Sequence, residues 1–179
     1  MKVYVFLAEG FEEIEAVTVI DVLRRAQADV KTVSISEGLE VTGAHSIKLF
    51  CDLTFDYDSL LDGDMLVLPG GPGTNRLYEH QGVASLLENY SQKGKWIAAI
   101  CAAPFILGRM GLLNGKAATC YPGYEKDLKG AKVCTERVVH DGRIITSRGP
   151  GTTMDFALKL VEVLKGKELS ENLRSGMQC

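Results

Sequence analysis

A thiol, a carboxylate and two glycine-rich turns carry the chemistry in this sequence. Cys101 lies in "KWIAAICAAPFILGRMG", residues 95–111, at the joint between two apolar runs. Pro104 is tolerated only in a first helical turn, which predicts a helix starting near Ala102 or Ala103. Cys101 then ends a buried strand, with free backbone N–H groups and the positive end of a helix dipole facing its sulfur. Such a setting lowers a thiol pKa and favours a nucleophilic thiolate. The small neighbours Ala99, Ala102 and Ala103 permit the sharp strand–turn–helix bend that presents nucleophiles in hydrolases. The competing reading is a buried, inert thiol, because cysteine is among the most buried residue types.

Glu15 is the second candidate. On a helical wheel of residues 11–26, Glu13, Thr18, Asp21, Arg24 and Arg25 fall on one side. Phe11, Ala16, Val19, Ile20, Val22, Leu23 and Ala26 cover the other. Glu15 falls within the apolar side, where a carboxylate is costly unless paired or neutral. Glu12 points roughly the same way from the helix start, where the loop gives it a way out. A buried salt bridge or an error of the wheel would also account for Glu15. If Glu15 meets Cys101, burial and a neighbouring thiolate both raise its pKa, and one proton is shared between the two groups. Such a pair can serve as nucleophile and proton carrier, or can hold an oxidised sulfur.

The elements that must position these residues follow from periodicity. Strand-like runs cover 2–7, 29–36, 64–71 and 95–100, and a short strand pair on an edge is expected within 40–50. Helix-like runs cover 11–26, 82–94 (with a glycine stop), 103–111, 151–166 and 167–176. Residues 136–147 read as a hairpin about the Asp141-Gly142 turn. Alternating β and α units predict one α/β domain over 1–179, a mostly parallel sheet with helices on both faces. Ligands on such sheets bind beyond the carboxyl ends of the strands. Here "AEGFEE", "PGGPGT" and Cys101 follow three of those ends and share one rim.

Composition narrows the class. The 179 residues carry a net charge of −3 and contain no basic run of the kind that tracks phosphates, so nucleic acid is not an expected partner. No apolar stretch is long enough to span a bilayer. The opening "MKVYVFLAEGFEE" meets acidic residues too early for a secretory signal, so reduced thiols in a cytoplasm are expected. The five cysteines (Cys51, Cys101, Cys120, Cys134 and Cys179) form no C-x-x-C pair. Cys51, Cys120 and Cys134 read as structural thiols, Cys120 adjoining Tyr121. The scattered His45, His80 and His140 suggest no metal cluster. "GLLNGKA" is one residue short of a P-loop, and "GGPGT" and "RGPGT" are not dinucleotide fingerprints. "RGPGT" reads as the turn before the last long helix, with Thr152 or Thr153 as its N-cap. No cofactor or metal is implied.

"EGFEEIEAV" (9–17), "IDVLRRA" (20–26), "VLPGG" (67–71), "AAICAAP" (98–104) and "TSRGPGTTMDFALKLVE" (146–162) together resemble the ThiJ/PfpI superfamily, in the branch of Parkinson disease protein 7 and its bacterial relatives. The matches run in the family's order along nearly the whole chain. The resemblance implies a flavodoxin-like three-layer α/β sandwich and a homodimer. It implies that Cys101 is the family's oxidation-prone cysteine and Glu15 the protonated glutamate beside it. Gly70 and Gly71 match glycines whose backbone, with the N–H of Ala102, lines the oxyanion side. Arg25 matches an arginine near the family's dimer seam, and His45 falls where relatives carry an interface arginine.

Two departures stand out. Tyr121 occupies the place taken as that of a histidine near the cysteine, and a phenol with a reference pKa near ~10 is a poor base at neutral pH. The peptidase-like branch has a histidine directly after the cysteine; Ala102 stands there, which argues against a protease. The resemblance therefore implies one of two roles. The first is a glyoxalase- or deglycase-type enzyme acting on a small dicarbonyl or a glycated protein group. The second is a redox sensor and chaperone using Cys101 sulfinate. A plain small-molecule-binding fold with an inert thiol is the third, blander reading.

Overall fold

The computed structural model describes residues 1–179. In chain order the elements are β1 (Lys2–Leu7), α1 (Glu13–Arg25), β2 (Asp29–Ser34), β3 (Glu40–Thr42), β4 (Lys48–Phe50), β5 (Leu53–Thr54) and β6 (Met65–Leu68). They continue with α2 (Thr74–Glu79), α3 (Gln81–Gln92), β7 (Trp96–Ile100), α4 (Pro104–Arg109), β8 (Ala117–Ala118) and β9 (Lys132–Val133). The chain closes with β10 (Val138–Asp141), β11 (Ile144–Ser147), α5 (Thr153–Lys165) and α6 (Lys167–Gly176). No helix is long and apolar enough to cross a membrane.

Seven strands form the central sheet in the order β10-β11-β7-β6-β1-β2-β5. All neighbours are parallel except β10 and β11, the hairpin expected about Asp141 and Gly142. The inner strands β1, β6 and β7 read as continuous apolar runs because both sheet faces are covered. Their alternating side chains split the core in two. Val3, Val5, Leu7, Val67, Ala98 and Ile100 pack with α1 and α5. Tyr4, Phe6, Leu66, Leu68, Ile97 and Ala99 pack with α3 and α4 on the other side. The result is the three-layer sandwich expected from the pattern.

Helix α2 and the separate β8–β9 pair have no counterpart in the sequence reading, and four features nearer the site differ from it. The 40–50 pair is a separate two-stranded ribbon, β3 with β4, and the sheet edge is β5 instead. The ribbon folds back over the first turn of α1, where Gly10 N–H donates to Thr42 O and Ala44 N–H to Phe11 O, each at 2.8 Å. That cover buries Glu13, which the wheel placed in solvent. Glu12 also stays inside: its Oε2 caps α1 by accepting the Glu15 N–H at 2.8 Å. Thr152 does precede α5, but its hydroxyl accepts from the Gly149 N–H and contacts Ser147 Oγ, so it braces the preceding turn rather than capping the helix.

Candidate active site

β1, β6 and β7 end on one rim, as the topology requires. Cys101 follows β7 directly and is 8% exposed. Its backbone takes φ of +65°, a left-handed conformation that a side chain rarely adopts. Both of its backbone polar groups are tied down. Its N–H donates to Ser147 O at 2.9 Å, and its carbonyl accepts from the Tyr121 N–H at 2.8 Å. β11 and the 119–124 segment thus hold the bend that turns the side chain out of the sheet. Pro104 opens α4, as its ring geometry demands.

Glu15 reaches the same point from α1. It is fully buried, and its Oε2 accepts the Gly70 N–H at 2.7 Å. Its Oε1 is buried without a regular hydrogen bond. The carboxyl and the Cys101 thiol interact closely enough to shift each other's ionisation. A Cβ on Gly70 would lie 2.5 Å from Cys101 Cβ, 2.6 Å from Glu15 Oε2 and 3.0 Å from Cys101 Sγ. Only glycine fits between thiol and carboxylate. Gly71, at φ of +89°, faces the backbone of Gly10 and Glu12 equally tightly.

The two glycines have different tasks. The Gly70 N–H is spent on Glu15, so it is not a donor to the sulfur side. The N–H groups of Gly71 and Ala102 both act on the Cys101 sulfur, and neither has another acceptor in the protein.

Burial pushes the Glu15 carboxyl up, to about 7, against the Gly70 N–H and the Cys101 thiol, which pull it down. Burial and the Glu15 charge push the Cys101 thiol up, to about 12, against the pull of Ala102 and Gly71. The backbone N–H groups at the helix start do pull the thiol down, as the sequence suggests, and burial beside a carboxylate opposes them. α4 begins three residues beyond the sulfur and is six residues long, so two N–H groups, rather than a long helix, face the opposing effects of burial and a carboxylate. The two groups titrate as a coupled pair that shares one proton, so Glu15 is placed to take the thiol proton during attack.

The remaining candidates separate. Tyr121 belongs to the site: a Cβ on Gly149 would lie 3.1 Å from its ring and 3.9 Å from Cys101 Sγ. Asn75 and Tyr124, which carried no signal in the sequence, line the same cleft. Arg25 does not reach it; Arg25 is exposed and pairs with Asp21 at 2.7 Å. His45 is exposed and bonds Glu13 twice, through its backbone N–H at 2.6 Å and its Nδ1 at 2.7 Å. Glu13 holds the His45 imidazole above the ordinary histidine range. Glu12, Glu13 and His45 offer ligand atoms within 4.8 Å of one another, a grouping hidden by the separation of 32 positions between Glu13 and His45. All five cysteines are free, and burial pushes Cys51 and Cys120 up to about 11.

This architecture has close counterparts. The DJ-1/PfpI family model matches residues 1–163. Protein DJ-1 homolog B of Arabidopsis thaliana is 44% identical over 172 residues, which cover 93% of this chain and 39% of that protein. The chain thus spans about two fifths of the length of the Arabidopsis relatives it matches. A Caenorhabditis elegans protein named glutathione-independent glyoxalase DJR-1.2 is 34% identical, over 92% of this chain and 89% of its own length. The solved structure of an oxidised DJ-1 from Toxoplasma gondii superimposes with a TM-score of 0.93 at 35% identity, covering 99% of this chain and 97% of the other. The strand-end thiol, the buried glutamate and the order of the elements thus sit in a chain that belongs to the DJ-1/PfpI family.

Proposed function

We propose that the protein is a cofactor-independent glyoxalase- or deglycase-type enzyme that protects against reactive dicarbonyls. The observation that carries this reading is the buried Glu15 carboxyl set against the Cys101 thiol, with two unused N–H groups beside the sulfur. The sulfur attacks the aldehyde carbon of a small dicarbonyl such as methylglyoxal, and Glu15 takes the thiol proton. The carbonyl oxygen becomes the hydroxyl of a hemithioacetal as it gains a proton, with the N–H groups of Gly71 and Ala102 offered to its developing charge. Moving the C1 proton to C2 gives a thioester, and water releases lactate and restores the thiol. A glycated side-chain adduct would be attacked at the same carbon type. The glyoxalase name of the C. elegans relative supports this reading.

The test is lactate formation from methylglyoxal by the purified protein before and after alkylation of Cys101. Lactate that disappears on alkylation is the expected result; no lactate from the untreated protein sinks the reading. A second role is favoured by the same donors. Peroxide can oxidise the sulfur in two steps, releasing two waters, and the resulting sulfinate would accept from Gly71 and Ala102 and from a protonated Glu15. Intact mass after mild peroxide separates the two roles: a gain of two oxygens confined to Cys101, without lactate formation, marks the sensor.

The assembly belongs to the same proposal. Ile14 and Val17 on α1 and Ile47 and Phe50 on the β3–β4 ribbon are 43–75% exposed. Val17 and Phe50 line one shallow depression, so helix and ribbon form a continuous apolar face. A second copy is the occupant that the family suggests. Light scattering should give a mass twice that of the 19.5 kDa chain, and a monomer at micromolar concentration would refute the dimer.

A further inference from the structure

The cleft over Cys101 has about 360 Å³ of room and is open to solvent. Methylglyoxal, with five heavy atoms, leaves most of that volume unused. The walls show what would use it. Tyr121 and Tyr124 are 46% and 37% exposed, and both face the cleft. Each ring is held. The Tyr121 N–H is bound to the Cys101 carbonyl, and its ring lies against Gly149, where a Cβ would come within 3.1 Å. The Tyr124 ring stacks on buried Phe105 at 6.1 Å and 25°, and Phe105 in turn meets Tyr78 edge-on at 5.5 Å. Pro72 and Ala102 complete the apolar lining, and Asn75 adds one neutral amide.

No lining side chain carries a charge, because Glu15 is sealed behind the thiol. A carboxylate or phosphate on the substrate would find no cation here. A flat apolar group attached to the carbonyl would find two fixed rings, and stacking on such rings adds to simple burial.

We infer that the cleft selects neutral α-oxoaldehydes bearing an aryl or similarly flat apolar substituent over those bearing a methyl group. Tyr121 and Tyr124 are the residues that make the choice. The inference rests on the proposed attack of Cys101 at an aldehyde or ketone-activated carbon.

Alkylation tests the selection without turnover. Cys101 displaces bromide from 2-bromoacetophenone or from bromoacetone, forming an S–C bond as the C–Br bond breaks and the thiol proton passes to Glu15. Rates are read by intact mass, normalised to each reagent's rate with glutathione, and corrected with Cys101→Ser. The aryl reagent is expected to be favoured roughly 10-fold in the wild type. Tyr124→Ala and Tyr121→Ala should each lower that ratio. Tyr124→Leu, which keeps apolar bulk without a ring, should lower it as well. A wild-type ratio of one or less overturns the inference, as does a ratio untouched by all three substitutions. Assays for mandelate from phenylglyoxal and lactate from methylglyoxal run alongside. If neither acid forms but the alkylation preference holds, the cleft's selectivity stands and the glyoxalase reading falls.

Discussion

Cys101→Ser is expected to lower lactate formation from methylglyoxal by ~10³-fold or more, with little change in stability. The reason lies in the proton balance. Glu15, pushed up to about 7, can accept a thiol proton in the course of attack, but an alcohol holds its proton far more tightly. A serine hydroxyl is also a weaker nucleophile and sits on a shorter bond. The fold should not notice the change by more than about 1 kcal/mol, because the left-handed backbone at residue 101 is held by Ser147 and Tyr121 whatever the side chain. Steady-state lactate assays and thermal melts on the same preparation check both halves. A variant that keeps a tenth of wild-type activity would remove the sulfur from the mechanism.

Glu15→Gln should have two opposite effects. Turnover falls by roughly 10²–10⁴-fold, because an amide cannot carry the thiol proton. Wild-type turnover should rise as pH climbs through about 7 and Glu15 ionises, and the variant should lose that rise. Stability moves the other way. The folded carboxyl binds its proton more tightly than the unfolded one, from a reference of 4.5 to about 7. Stability is therefore fully present below the unfolded value and declines as pH rises through the folded value. The full difference corresponds to about 3 kcal/mol. Glutamine has no charge to desolvate and can still accept the Gly70 N–H, so the variant should melt at higher temperature than wild type at pH 8 and at nearly the same temperature at pH 4. A wild type that gains stability between pH 5 and pH 8 relative to the variant would contradict the buried-acid account.

How much of this was legible in the chain depends on the distance over which each residue is determined. The strands ending at Leu7, Leu68 and Ile100 showed in apolar runs, and parallel order follows from alternation with helices, so the shared rim could be read. Glu15 was legible because a carboxylate between Phe11, Val19 and Val22 breaks a local pattern. Glu13 was not, since its burial comes from a ribbon more than thirty residues away that folds over the first turn of α1. The separate tasks of Gly70 and Gly71 were not legible either. Adjacent glycines look alike in sequence, and only the rotation of one peptide plane sends one N–H to the carboxylate and the next toward the sulfur. The burial that opposes the helix terminus at the thiol was not legible for a similar reason. The helix terminus is a local signal, whereas desolvation is a property of everything packed around it. Tyr124 and Asn75 became visible only once loop and short helix met over Cys101.

The anchoring of Glu15 to the end of β6, beside the thiol at the end of β7, has a mechanical consequence. β6 and β7 are adjacent central strands, with Leu68 opposite Ala99, and their separation is the sheet's own repeat of about 4.8 Å. The distance between base and nucleophile is thus set by the stiffest dimension of the molecule rather than by a loop. Opening events that fray edges and ribbons leave it unchanged, and it is lost only when the sheet comes apart as a unit. The reactive pair needs no closing motion to be assembled, and partial unfolding does not adjust its strength by degrees.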